Sequence, residues 1–411
     1  MNTSLSNKTQ YASIHLTHFF LILVIFASRI SLALKSIGFV GSLISLWGCV
    51  TPRRYWHTLR QNPIASLALV LYVLFISGAF YGQASITEKL YVLKTYLPLL
   101  AIGLWITYFK ATSFKIRSQT KFFMNFFVAG ATLTVVLGIL NAWHWVNLSF
   151  LHHHLLSDPI EYPFGTFSFS LSLAAFFCAQ LWASTLSTKI ALLYKVAFFI
   201  LTFFIFFVSH QRTACVLYLF LMALFGFQHW HWRGILVLGT ALLALVLIAY
   251  QMSPVFHHRL NAAASDISHY QHGNPRTSTG LRLFFAKKSY ELCKQAPIFG
   301  FGTGGFKKAY LTQKGYNIFG TRNTNETALD QPHNDYAYIA VQLGAVGLIV
   351  FLFLLGVQIR KTWRLPSFEK QCAQGLMLAF VLGACDTTLL FYSTSITDYC
   401  FFTALLFSNE V

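Results

Sequence analysis

The chain is short of charge. Asp, Glu, Lys and Arg make up only 10% of its 411 residues, against about 25% in ordinary soluble domains. That excludes a soluble protein of this length, which could not cover its surface. Acid is the scarcer sign, with 12 Asp and Glu against 30 Lys and Arg and a formal charge of +18. In a soluble protein such an excess would point to nucleic acid. Here cationic loops between apolar runs orient helices and meet anionic lipid headgroups, so the partners expected are membrane lipids and no nucleic acid. Cysteine is equally uninformative as a framework. Six of the seven lie in or beside apolar runs, Cys293 stands alone in a polar stretch, and no CxxC pair exists. A disulfide scaffold and a thiolate metal site are both excluded.

What the chain has in abundance is apolar sequence, 56% by count with 17% aromatic. Repeated runs of about 18 residues or more are long enough to cross a hydrocarbon core as helices, which satisfy their own backbone. The expectation is an all-α polytopic membrane protein of about twelve spans, falling into residues 1–252 with nine spans, a polar loop over 253–335, and 336–411 with three more. Basic clusters at Arg53, Arg54 and Arg60, at Lys110, Lys115, Arg117 and Lys121, and at Arg360, Lys361 and Arg364 then share the cytoplasmic side. The polar loop falls outside. Glu88, Lys89 and Lys94 are expected in a small outer loop, and span ten is expected to begin around Tyr336.

The 83 residues Ser253–Asp335 hold ten Lys or Arg against five Asp or Glu. Within them Gly280–Gln295 reads as an amphipathic helix carrying Arg282. The stretch Gln331-Pro332-His333-Asn334-Asp335 closes the loop, with Pro332 suited to a first helical turn. His333 then stands at the outer mouth of span ten, where a neutral imidazole could take a proton from a hydroxyl, although an interfacial His with a structural hydrogen bond fits as well. Arg212 follows a very apolar span, and a guanidinium at membrane depth faces a cavity or a partner, or else snorkels to headgroups. Two converging guanidiniums would anchor a diphosphate, since planar forks give paired hydrogen bonds. Asp386, inside span eleven, is a natural partner for Arg212 or Arg282, or an orienting group for His333. Gly300–Gly305 matches GxGxxG, but no βαβ unit surrounds it, and a flexible outer turn is the better reading. The run His152-His153-His154 reads as exposed surface, because consecutive side chains do not point at one centre.

Taken in order, Arg212 after a span, Arg282 followed by Ala296-Pro297-Ile298-Phe299-Gly300-Phe301-Gly302, and Pro332-His333-Asn334-Asp335 leading to Gln342-Leu343-Gly344-Ala345-Val346-Gly347 resemble the O-antigen ligase/polymerase superfamily. The resemblance implies a GT-C-like fold with one large periplasmic loop containing amphipathic helices, in a bacterial inner-membrane glycosyltransferase whose active site faces the periplasm. The donor implied is a glycan on undecaprenyl diphosphate, and the acceptor the lipid A-core of lipopolysaccharide. No cofactor or metal is implied, and the reaction is direct attack that inverts the anomeric carbon. By the family pattern Arg212 and Arg282 hold the donor diphosphate and His333 activates or positions the acceptor hydroxyl, with Asp386, Asn334 and Asp335 in support. Polymerases and protein O-oligosaccharyltransferases use the same donor and are the nearest alternatives. A transporter or flippase would instead require internal repeats and functional groups near the bilayer midplane, and neither is evident.

Overall fold

The structure, a computed structural model, describes residues 2–28, 30–112, 116–142, 166–209, 211–312 and 331–408. The His152–His154 run and the residues around it lie outside these, as do Arg29, Lys115 and His210. Every regular element described is helical. In chain order they are α1 (Asn2–Ala27), α2 (Leu32–Leu46), α3 (Pro52–Gln61), α4 (Pro63–Tyr81), α5 (Ile86–Tyr96), α6 (Pro98–Ala111), α7 (Ile116–Ala142), α8 (Thr166–Ala183) and α9 (Thr188–Phe203). The last runs on through a π turn at Phe204–Val208. There follow α10 (Arg212–Met252), α11 (Pro254–Gln271), α12 (Ser278–Gln295), α13 (Gly305–Thr312), α14 (Asp335–Thr362), α15 (Ser367–Asp386) and α16 (Ser393–Phe407).

Among the described residues six helices are long and apolar enough to cross a membrane: Pro63–Tyr81, Ile86–Ala111, Gln119–Asn141, Thr188–Val208, Arg212–Met252 and Asp335–Thr362. Three shorter ones, Ala12–Ala27, Leu32–Leu46 and Phe167–Ala183, are apolar as well. This is the polytopic pattern, although the expected twelve do not all appear as separate spans. In lipid the drive between helices is close packing and not hydrophobicity. Interlocked rings supply much of it: Phe402 sits 4.9 Å from both Phe127 and Phe177, joining α16 to α7 and α8.

Several boundaries differ from expectation for identifiable reasons. Glu88, Lys89 and Lys94 are not in a loop but on α5, which begins with a capping box between Ser85 and Glu88. Ser31 caps α2, its side chain accepting from the Leu34 N–H. Pro332 and His333 precede α14 instead of starting it, because Asn334 is the N-cap and its side chain accepts from the Ala337 N–H at 2.9 Å. Asp386 is not inside its span but is the last residue of α15.

Two long helices reverse direction. In α10 the non-helical residue is His231, at φ 53°. A Cβ built on Gly226 would lie 2.8 Å from the Gly234 carbonyl oxygen. Eight residues of straight helix span about 12 Å, so the halves 212–230 and 232–252 must lie side by side. In α14 the break is Gly344, at φ 65°. The Tyr336 and Phe351 rings are 5.6 Å apart, although 15 residues of straight helix would separate them by about 22 Å. Span ten therefore does not run inward from Tyr336. The half-helix 335–343 climbs to Gly344, and 345–362 then descends beside it.

The loop after Pro297 is built into that reversal. The N–H groups of Phe301 and Gly302 donate to the carbonyls of Val341 and Gln342 at 2.9 and 2.8 Å. Ala345 N–H donates to the Pro297 carbonyl at 2.8 Å, and Val346 N–H to that of Ile298 at 3.3 Å. The carbonyls and N–H groups orphaned by the break are thus paired by the loop. On its other side Thr303 donates to Gly78 and Phe75 carbonyls on α4 at 3.1 and 2.5 Å. Gly302 and Thr303 are buried, so the expectation of a flexible turn is overturned. It is a clasp between α4 and α14.

Candidate active site

His333 stands just before the short half of α14, whose first residue Asp335 lies about 14 Å along the helix from the Gly344 turn. Its backbone is left-handed, φ 55°, a conformation unfavourable for a side chain with a Cβ. Gln331 holds it there. The His333 N–H donates to Gln331 Oε1 at 2.9 Å, and Gln331 Nε2 lies 3.2 Å from His333 Nδ1 and 3.2 Å from the Tyr392 hydroxyl. One flank of the imidazole meets the Phe285 ring, 6.1 Å away on α12. Asn334 adds a second tie, donating from Nδ2 to the Cys385 carbonyl at 2.9 Å. Asp335 is fully buried and accepts the Leu390 N–H at 3.2 Å. These two side chains fix the foot of α14 to the last turn of α15 and to the turn that follows it.

The two arginines come from different elements and meet. Arg212 is the first residue of α10, and its Nη1 donates to Thr279 Oγ1 at 3.2 Å and pairs with Asp266 at 3.4 Å. Arg282 Nη1 donates to Ser278 Oγ at 3.1 Å. The guanidiniums therefore grip hydroxyls of consecutive residues in the first turn of α12. Arg282 Nε also lies 3.2 Å from Asp386 Oδ1, close enough for an ion pair but not aligned as a hydrogen bond. Asp386 is bonded on its other oxygen by the hydroxyl of Thr213, the neighbour of Arg212. A carboxylate at a helix C-terminus opposes the helix dipole, so Asp386 depends on these two contacts.

The electrostatics favour an anion. Three helix beginnings, those of α10, α12 and α14, converge beside two guanidiniums and carry partial positive charge. Asp266 serves Arg212 more firmly than Asp386 serves Arg282. Burial works to raise the Asp266 pKa, but the Thr279 backbone N–H, the Thr279 hydroxyl and Arg212 outweigh it and hold the carboxyl below its ordinary value. Asp386 is 38% exposed, and a pair that open contributes little net stabilisation. Burial is also the main influence on His333. With the Arg282 charge, and against that of Asp386, it lowers the imidazole to about 4, so the ring is neutral at physiological pH.

Of the residues singled out by sequence, Arg212, Arg282, Asp386 and His333 share this one place. Of the two arginines open to Asp386, it pairs with Arg282. Sequence reasoning passed over Asp266, Thr213, Ser278, Thr279 and the contacts of Gln331. Only Asp266 carried a signal, as one of five acids in a basic loop.

Residues 197–352 match the family model described as O-antigen ligase. An uncharacterized protein of Haemophilus influenzae is 30% identical over 135 residues, which is 32% of this chain and 33% of that protein. The chain thus aligns with about a third of that relative's length. The matched segment runs from the end of α9 through the Gly344 reversal and contains Arg212, Arg282 and His333. Over residues 197–352 the chain is thus similar to the O-antigen ligase family.

Proposed function

We propose that this protein transfers an O-antigen glycan from undecaprenyl diphosphate to the lipid A-core of lipopolysaccharide, in the bacterial inner membrane and at its periplasmic face. The observation that carries the reading is the pair of guanidiniums pinned to Ser278 and Thr279 beside a neutral histidine. In the reaction the bond from the anomeric carbon to the phosphate oxygen breaks, and its electron pair goes to the diphosphate. The acceptor oxygen bonds to that carbon from the opposite side and inverts it. Arg212 and Arg282 hold the diphosphate and offset the charge it gains, a role worth about 10²- to 10³-fold for a single donor group in comparable sites. Arg282 is the more available of the two, because its ion pair with Asp386 is open and misaligned. His333 meets the acceptor hydroxyl. Helices α11, α12 and α13 form the cap over the site, and no metal is assigned a role.

The test is transfer by the purified protein from undecaprenyl diphosphate–glycan to three acceptors: lipid A-core, a second lipid-linked unit and a pilin. Product on lipid A-core supports ligation. Product on a second lipid-linked unit instead makes the protein a polymerase, and product on pilin a protein glycosyltransferase. No product on any of the three removes the transferase reading.

A further inference from the structure

We infer that Gln331 locks the neutral imidazole of His333 in the tautomer that carries its hydrogen on Nε2, so that His333 meets a bound substrate as a hydrogen-bond donor. The choice of substrate rests on the transferase reading above; the tautomer does not.

The argument begins at a group that cannot change roles. The His333 backbone N–H can only donate, and it points at the Gln331 side chain at 2.9 Å. The amide must therefore present its oxygen there, and its NH2 faces the imidazole at Nδ1, 3.2 Å away. An amide NH2 has hydrogens and no free lone pair to offer. Nδ1 must then be the acceptor, and in a neutral ring the hydrogen sits on Nε2. The second amide hydrogen is directed at the Tyr392 hydroxyl, 3.2 Å away, and Gln331 is buried at 6% exposure. Turning the amide over would leave the His333 N–H facing another donor. The left-handed backbone at His333, φ 55°, is what brings its N–H and its ring to the same side chain.

The surroundings act in the same direction. A hydrogen on Nδ1 would oppose the amide hydrogen, so the imidazolium is disfavoured by geometry as well as by burial and Arg282, with Asp386 opposing. Nε2 has no protein partner among the described residues. Its N–H is directed at an oxygen of substrate, and that nitrogen has no lone pair with which to remove a proton. When the acceptor oxygen bonds to the anomeric carbon, its hydroxyl proton passes instead to the departing terminal phosphate, which has just gained the electron pair of the broken bond. Gln331 is in this account a positioning residue, acting through His333.

The test is 15N spectroscopy of the full-length protein in nanodiscs with histidine ring nitrogens labelled. Subtracting the His333→Gln spectrum isolates the His333 signal, and His333→Ala serves for the same subtraction should the first variant fold poorly. At neutral pH the expected signal is a protonated Nε2 and a bare Nδ1. In Gln331→Glu a carboxylate faces Nδ1, so the hydrogen should move to Nδ1 and the ring should protonate at higher pH. Transfer to lipid A-core should fall on the order of a hundredfold with the thermal midpoint kept. Gln331→Met, which faces Nδ1 with no donor, should give a mixture of tautomers and an intermediate rate. A wild-type signal with Nδ1 protonated would overturn the inference, and so would a Gln331→Glu protein that moves the hydrogen yet transfers at the wild-type rate. A wild-type protein that shows the Nε2–H signal and transfers to no acceptor would sink the transferase reading and leave the tautomer standing.

Discussion

Two long helices turn back on themselves, at His231 and at Gly344, and the reversals are held in opposite ways. At His231 the two arms touch through Gly226 and Gly234. The turn itself is exposed, with Trp230 and Trp232 outward and basic Arg233 beside them. Water can satisfy the backbone groups freed there. At Gly344 the glycine and the three residues before it are buried. Its orphaned groups are paired instead by Pro297, Ile298, Phe301 and Gly302. An unsatisfied buried backbone group costs about 1–3 kcal/mol, so an interior reversal needs a second segment of chain. An exposed one does not. The first reversal is a turn between spans. The second is a scaffold, because the half-helix it creates carries His333.

The sharpest way to break this comparison is to put a side chain on Gly344. A Cβ there would lie 2.2 Å from the Ile298 carbonyl oxygen, at a backbone angle that disfavours it. Gly344→Ala should destabilise the protein on the order of 4 kcal/mol, read as a large fall in thermal midpoint, and should abolish transfer. A near-normal midpoint would mean that the clasp is loose. Next in size is Arg282→Gln, which removes one diphosphate contact and leaves both reversals intact. Transfer should drop by about 10²- to 10³-fold with little change in midpoint, whereas Arg233→Gln at the other reversal should leave transfer unchanged.

The pH response should be smaller and separable. His333 protonates at about 4, against about 6.5 for a free histidine. Below about 6.5 the unfolded chain therefore binds a proton that the folded protein refuses. The contribution of His333 to stability is complete above that value, declines as pH falls, and levels off below about 4. Transfer should stay flat as pH drops through 6.5 and fall only around 4 in a single-turnover measurement, and a midpoint near 6.5 would contradict the buried, donor-facing ring. Smallest of all is His231→Gly. It relieves a left-handed backbone at an exposed turn and should change stability by no more than about 1 kcal/mol in either direction, with no effect on transfer.

Much of the architecture was legible in the sequence, because apolar runs longer than a bilayer core leave little choice. The amphipathic helix expected over Gly280–Gln295 is α12, Ser278–Gln295. Arg212, Arg282, Asp386 and His333 were each visible as groups out of keeping with their neighbours, and they do assemble. What hid was whatever leaves no trace in side-chain type. The reversal at Gly344 is silent because Leu343-Gly344-Ala345 reads as an unbroken apolar run. The clasp is silent because it works through main-chain atoms, so its glycines suggested only flexibility. The partner of Arg212 was missed since Asp266 lies 54 residues away, and no local spacing relates them. The position of Asp386 at a helix end was lost in the usual uncertainty of boundaries.

The clasp also carries an apolar, aromatic rim. Phe80, Tyr81, Ile86, Ile298 and Phe299 are turned outward around it, and the Tyr81 hydroxyl donates to the Phe299 carbonyl at 2.6 Å. Aromatic side chains with a polar tip settle at the level of lipid headgroups. A thicker or thinner bilayer presses on such anchors before it presses on anything else. The same loop sets the angle at Gly344, and His333 rides at the far end of that arm. A bilayer thickness that shifted these anchors would therefore act on the loop that sets the angle at Gly344.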